Sequence, residues 1–466
     1  SSSIGGFAGS FNWGPTDEVC LVGSENELLE KFGTPDSNTA KYFLTAASFL
    51  KYGNALKVVR VSSTHLNASA AGGGQLVKNA EDYNNNYSAS GISGKGNWVA
   101  KYPGVLGNSL KVSMVTAGVS TTNYNNWGPS TSPGAFKAFF DEAPSTSDFA
   151  KDLGKTSAAD ELHIAVIDEL GAISGTPNTV LETFAFVSQA AAAKTAQGGT
   201  NYYPDVIYKQ SLFIYWMDHD ASLTNAGTNP VAGTTFASTA SNAGVKDDTL
   251  AGGTDDYAAT VGELKLAYDK FADAETVDVN LIMAGTTPAG ADGTSHATNM
   301  IDIAEGRKDV VTFISPRRAD VVNIAQSFTQ ATNVKTFFDG LASSSYAVFD
   351  SGYKYMYDKF NDVFRFVPLN GDIAGLCANT DNVADPFFSP GGFNRGQIRG
   401  AVKLAFNPTK SERDILYPAR INPIATFPGQ GTVLFGDKTA LSKPSAFDRI
   451  NVRRLFILLE KAIATS

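Results

Sequence analysis

Two kinds of sequence alternate along this chain, and their order constrains the fold more than any single residue does. Near both ends, short apolar runs of strand length stand beside amphipathic helical stretches. LKVVRVS (Leu56–Ser62), VDVNLIMAG (from Val277) and VVTFISP (from Val310) are too short for buried helices. Their continuous apolar character is that of strands covered on both faces of a parallel sheet. GSENELLEKFG predicts a short helix with Ser24 as N-cap and Gly33 just past its end. SNTAKYFLTAASFLKYGN follows, with Phe43, Ala46, Ala47 and Leu50 on one helical face, and AATVGELKLAYDKFAD repeats the pattern with Leu264, Ala267, Tyr268 and Phe271. The stretch from Asp448, DRINVRRLFILLEKAIAT, is again strongly helical, and SSYAVFDSGYKYMYDKFNDVFRFVP reads as two aromatic strands around a turn.

The middle differs. Ser109–Val115, Leu162–Leu170, Thr179–Val187 and Ser211–Met217 read as strands, the second and third paired across the turn-rich GAISGTPN. Helices are few there. A length of 466 residues suits more than one core. The expected fold class is therefore α/β (α+β) and multidomain: a discontinuous α/β core, residues 1–62 and 276–466, with a β-rich domain inserted at 101–275. Residues 63–100, rich in Ala, Gly, Asn and Ser, read as a flexible connection, and Asp218–Thr254 reads as loop.

Positive chemistry is scarce. The net charge of −9 argues against a general nucleic-acid coat, which needs a basic face. Cys20 and Cys377 are too few for a disulfide scaffold or a thiolate metal site, and each reads as a small buried hydrophobe. No run reaches the roughly 18 apolar residues of a membrane span, and SSSIGGFAGS lacks the features of a secretory signal. His65, His163, His219 and His296 show no zinc-ligand spacing, and no nucleophile elbow or phosphate-binding loop follows a strand. No catalytic, cofactor-binding or metal-ligating residue is assigned, and no cofactor. WMDHD, with Asp218, His219 and Asp220, is the most site-like cluster; it reads first as a solvated loop and second as a base with its orienter. Arg317 and Arg318 in SPRRAD, and Asp448, Arg449, Arg453, Arg454 and Lys461 around the final helix, read as salt-bridged or solvated helix faces. Their second reading is as ion-pair partners at a protein interface.

Ordered motifs add a resemblance. Residues 7–61, FAGSFNWGP through YFLTAASFLKYGNALKVVRV, resemble the N-terminal core of contractile bacteriophage tail sheath proteins of the T4-like myophage family. SSYAVFDSGYKYMYDKFNDVFRFVPLNGDIAGLCANTDN, FFSPGGFNRGQI, INPIATFPGQGTVLFGDKTA and SAFDRINVRRLFILLEKAI resemble later parts of that core; YPGVLGNSLKV matches more loosely. Each motif also has a plain physical reading. Asn12–Pro15 sets a turn with an anchoring indole, Tyr353, Tyr355 and Tyr357 alternate along a strand, and Gly371, Gly375, Gly391 and Gly392 permit close backbone approach.

The resemblance implies a structural subunit, not an enzyme, sited in the virion's contractile tail sheath and made in the host bacterial cytoplasm. It implies partners as well: other copies in hexameric rings and a helical sheath, the tail tube protein, and baseplate and tail terminator proteins. Neither direct nucleic-acid binding nor membrane insertion is expected. About 445–466 would begin an inner C-terminal region, and 63–100 would stand in place of the family's outer protruding domain. The family's linking terminal arms have no counterpart in the sequence, so a monomer or weak association is expected. The alternatives are a tailocin or secretion-type sheath, a hydrolase built on Asp218–His219–Asp220, and a host-surface adhesin using the β-rich middle.

Overall fold

The computed structural model describes residues 3–229, 235–236 and 244–466. It divides into two compact units, one of Ser1–Ser63 with Tyr257–Ser466 and one of Thr64–Asp256.

The first unit is built on a seven-stranded sheet. Its order is Ile421–Asn422, Ala347–Asp350, Val311–Ile314, Leu281–Met283, Gly5–Gly9, Leu56–Arg60, Val19–Val22. All neighbours run parallel except the last, Val19–Val22, which pairs antiparallel at the edge. The central strands are buried along their whole length, as their unbroken apolar runs require. Two chain ends thus interleave in one sheet: Gly5 pairs with Leu56 on one side and Leu281 on the other.

The helices that cover this sheet begin where their sequence predicts. Glu25–Phe32 starts at Ser24, whose hydroxyl accepts from the Glu27 amide at 3.2 Å, and ends at Gly33 with φ 82°. Val261–Tyr268 opens with a reciprocal Thr260–Glu263 capping box. Ala40–Leu50 and Asn370–Val383 lie so close that a Cβ at Gly371 would sit 2.5 Å from the Thr45 carbonyl oxygen, and one at Gly375 2.4 Å from the Tyr52 ring. Glycine is needed there because the two backbones touch. Cys20 and Cys377 are buried free thiols, and burial pushes each up to about 12.

The aromatic segment from Ala347 differs from its two-strand reading. Ala347–Asp350 belongs to the parallel sheet. Tyr353–Asp358 and Val363–Pro368 form a separate antiparallel pair, joined by Lys403–Leu404. Ser351 and Gly352, both buried, make the break: the Asp350 carboxylate accepts from the Gly352 amide at 2.9 Å and turns the chain out of the sheet.

The second unit has a four-stranded antiparallel sheet, in the order Thr179–Ser188, Glu161–Asp168, Leu110–Thr116, Val245–Thr249, and the pair Trp98–Ala100 with Ile214–Trp216. The expected pairing across GAISGTPN is there, with register shifts at Leu162/Ile164 and Val166/Ile167.

Two expected boundaries move. Residues 64–100 pack inside the second unit and are no free connection. The Asn67 amide bonds the carbonyls of Val77 and Ala100 at 3.0 and 2.9 Å, and Tyr83 stacks on Tyr215 at 4.2 Å. Their small residues serve close packing, which composition cannot tell from flexibility. The second boundary lies at 256/257 and not near 275, because Tyr268 donates its hydroxyl to the Met283 carbonyl at 2.6 Å and its helix packs on the core sheet. In the expected loop from Asp218 to Thr254, Val245–Thr249 is a strand, while 230–234 and 237–243 lie outside the described residues.

Candidate interaction surfaces

The Asp218–His219–Asp220 cluster does not assemble as a base and its orienter. His219 is half-buried, and both ring nitrogens are taken: Nδ1 pairs with the Tyr203 hydroxyl at 2.5 Å and Nε2 with Tyr202 at 3.1 Å. Trp216 closes the cage at 5.0 Å, and desolvation holds the imidazole below its ordinary pKa. The carboxylates turn elsewhere. Asp218 caps the His219 amide at 2.8 Å, while Asp220 accepts from Ser222 and Asn97 and lies 3.4 Å from the Lys246 ammonium. Neither carboxylate orients the ring, so the cluster is a structural knot where strand meets loop. Among the described residues no group of three or more His, Cys, Asp or Glu is placed to hold a metal, and no helix is long and apolar enough to cross a membrane.

The arginines and lysine singled out in the sequence separate into buried and exposed. Arg453 and Arg454 point inward, 7% and 5% exposed. Arg453 lies between the Tyr346 and Phe447 rings, 4.3 and 4.0 Å from their centroids, and donates to the Ser345 hydroxyl. Arg454 reaches the Asp381 carboxylate at 2.6 Å and the Cys377 carbonyl at 3.3 Å, docking the final helix, Ile450–Ala464, onto Asn370–Val383. These two guanidiniums are occupied within the chain. Arg317 makes a two-pronged pair with Asp320, 3.0 and 2.9 Å, that starts the short helix Arg318–Val321.

Arg318, Arg449 and Lys461 are more accessible. Arg449 donates to Asp437 and the Tyr417 hydroxyl, both at 2.7 Å, with Asp448 at 3.8 Å. Lys461 pairs with Asp278 at 2.7 Å, both about half-exposed. The final helix carries a second feature that its charges conceal in sequence: opposite the buried Ile450, Arg453 and Ile457, it turns Phe456, Leu459 and Ile463 outward, 40%, 44% and 73% exposed. That spacing is an apolar stripe on one helical face.

One further site has residues that sequence reasoning missed. A cavity of about 380 Å³ opens beside the Tyr353–Asp358/Val363–Pro368 pair. Lys41, Thr286, Arg318, Tyr353, Tyr355 and Phe366 are among the residues that line it. They come from four segments far apart in sequence. No local spacing could have joined them; Arg318 and the alternation of Tyr353 and Tyr355 were the legible traces.

The comparisons with known proteins agree with one another. The family described as phage tail sheath protein central domain matches residues 254–440, and the tail sheath protein Gp18 domain III N-terminal region matches residues 3–61. The tail sheath protein of Vibrio phage KVP40 is 32% identical, covering 98% of this chain and 82% of that protein. The tail sheath protein of Enterobacteria phage T4 is 30% identical, over 100% and 83%. In fold, the chain is similar to a sheath tail protein of Listeria innocua, with TM-score 0.53 and 11% identity over 98% of this chain and 74% of that one. A sheath tail protein of Desulfitobacterium hafniense gives 0.51 and 12%, over 100% and 79%. Interleaved chain ends in one parallel sheet, an inserted β-rich unit, and this similarity along the whole length lead to one conclusion: the chain belongs to the phage tail sheath family.

Proposed function

We propose that this chain is the repeating subunit of a contractile tail sheath. Copies stack as six-membered rings around the tail tube, between baseplate and terminator, and rearrangement into a wider, shorter lattice drives the tube through the host envelope. The observation that carries this reading is similarity to phage tail sheath proteins over 98–100% of the chain, at about 30% identity. The work is mechanical: one set of contacts is exchanged for another of lower free energy, and no nucleotide need be consumed.

A rigid core with accessible contact groups suits such a lattice subunit. The buried sheet keeps each copy's shape, while Arg318, Arg449, Lys461 and the outward stripe of the final helix supply the exchangeable contacts. Single surface ion pairs contribute roughly 0–1 kcal/mol, so many repeated pairs act together. Electron microscopy of the full-length protein tests the reading. Striated tubes of contracted-sheath form are expected; dispersed particles only, with or without tube protein, would sink it.

A further inference from the structure

The cavity beside Tyr353–Asp358 holds several groups that find no anion or acceptor among the described residues. Lys41, from the first turn of Ala40–Leu50, and Arg318, from the start of Arg318–Val321, are both exposed at its edge. Neither has a carboxylate within ion-pair distance among the described residues, whereas the neighbouring Arg317 and Arg365 are paired with Asp320 and Asp358. Partial burial holds the Lys41 ammonium below its ordinary pKa, with no anion beside it to offset the effect.

Deeper in lie two hydroxyls. Thr286 Oγ1 is buried with no hydrogen-bond partner among the described residues. Tyr353 is 1% exposed; its hydroxyl is near the Thr287 amide, and its proton has no acceptor among the described residues. Burial pushes the Tyr353 phenol far up, so at any physiological pH it remains a donor. Buried donors without acceptors are costly, and at a cavity wall an incoming oxygen can satisfy them. Part of the lining is aromatic. Tyr355 lies 4.7 Å from Phe366 and 5.4 Å from Phe364, centroid to centroid, and the Arg318 guanidinium stands 5.9 Å from the Phe366 ring.

Two unpaired cations, two buried donors and an aromatic wall match one kind of ligand: a carboxylate on an apolar stem. We propose that this cavity receives an Asp or Glu side chain from a second copy of this chain. Its carboxylate lies between Lys41 and Arg318, its oxygens accept from Thr286 and Tyr353, and its methylenes rest on Tyr355 and Phe366. The second copy is favoured by charge. With 46 acidic against 37 basic residues, a neighbour presents carboxylates in excess to a cavity whose edge carries the unpaired Lys41 and Arg318 beside the paired Arg365. This inference rests on the sheath reading and names one contact in its lattice.

The test has two arms. In the first, the full-length protein carrying Lys41→Glu and Arg318→Glu is compared with the unmodified protein for sedimentable sheath, with thermal melting as the check on folding. A tenfold or greater loss of polymer at unchanged melting temperature is expected, with polymer retained in the Lys41→Arg/Arg318→Lys control. Polymer at the unmodified level in the charge-reversed variant overturns the proposal. In the second arm, 3-phenylpropionate and its neutral amide are titrated into the same protein while tyrosine resonances are followed by NMR. Shifts at Tyr353 and Tyr355 with the acid alone are expected. No shift with the acid overturns a carboxylate site. Acid binding with normal assembly of the charge-reversed protein overturns the second copy and leaves a small carboxylate as ligand. If the unmodified protein itself forms no sheath, the sheath reading falls, and the NMR arm still judges the site.

Discussion

Lys354 and Asp372 are both fully buried, their charged atoms 2.9 Å apart, on a strand and a helix that flank the core sheet. Tyr52 donates to the same Asp372 oxygen at 2.9 Å, and Lys354 also donates to the Arg399 carbonyl at 3.2 Å, while the other Asp372 oxygen has no hydrogen-bond partner among the described residues. Removing one partner from such a pair strands a buried charge, which costs about 3–5 kcal/mol, whereas replacing both can be nearly neutral. Lys354→Met should therefore lower the unfolding free energy by about that amount, and Lys354→Met/Asp372→Leu should recover most of it. Urea denaturation of the four proteins of the cycle measures this. Asp350, also buried, gives a pH effect. Burial pushes its carboxyl up to about 8, against hydrogen bonds from Ser315 and Gly352 that pull it down. The folded chain keeps a proton that the unfolded chain releases above about pH 4. Its contribution is therefore fully present below that pH, declines as pH rises to about 8, and is flat beyond. Between about pH 5 and pH 7, Asp350→Asn should remove a fall in stability of up to about 1.4 kcal/mol per pH unit, read from unfolding curves at each pH. None of these charges was legible as buried. A strand reading YKYMY places its tyrosines on one face, but says nothing of which lysine finds a carboxylate behind the sheet.

Elements were more legible, because caps and periodicity are local. The Ser24 cap, the Gly33 stop and the amphipathic face of Ala40–Leu50 follow from spacing alone, and the structure has them. Gly371 shows what spacing cannot reach. Its reason is the Thr45 carbonyl 2.5 Å from where a Cβ would stand, on a helix more than 300 residues earlier. Gly371→Ala must push two backbones apart and should cost about 1–3 kcal/mol, measured by thermal or urea unfolding. The final helix divides the same way. Its helicity was readable, but its arginines read as outward and are inward, since a guanidinium can dock a helix when it meets Asp381 or lies between two rings. Charge reversal at Arg453 or Arg454 therefore probes folding and not assembly. Leu459→Glu/Ile463→Glu is the cleaner probe: stability should shift by less than about 0.5 kcal/mol, while sheath assembly, followed by light scattering, falls.

At the scale of the whole molecule, the α/β, β-rich, α/β order announced an insertion, and its limits were misplaced by small residues that pack where they were expected to be loose. The inserted unit ties its own ends together. Leu66 and Thr254 exchange backbone hydrogen bonds at 3.1 and 3.0 Å, and Thr64 donates to Asp256. Replacing residues 64–256 by a short Gly/Ser linker should leave a core that still melts cooperatively by circular dichroism; a broad, non-cooperative melt would show that the core depends on its insert. The interleaved sheet also bears on how the protein is born. Gly5–Gly9 needs Leu281–Met283 beside it, and roughly 220 residues separate Arg60 from that strand. At about 5–20 residues per second on the ribosome, the first segment emerges and waits on the order of 10–40 seconds with one edge open. During that interval nascent copies made side by side on one message are at their most vulnerable to pairing with each other, long before any is ready to enter a tail.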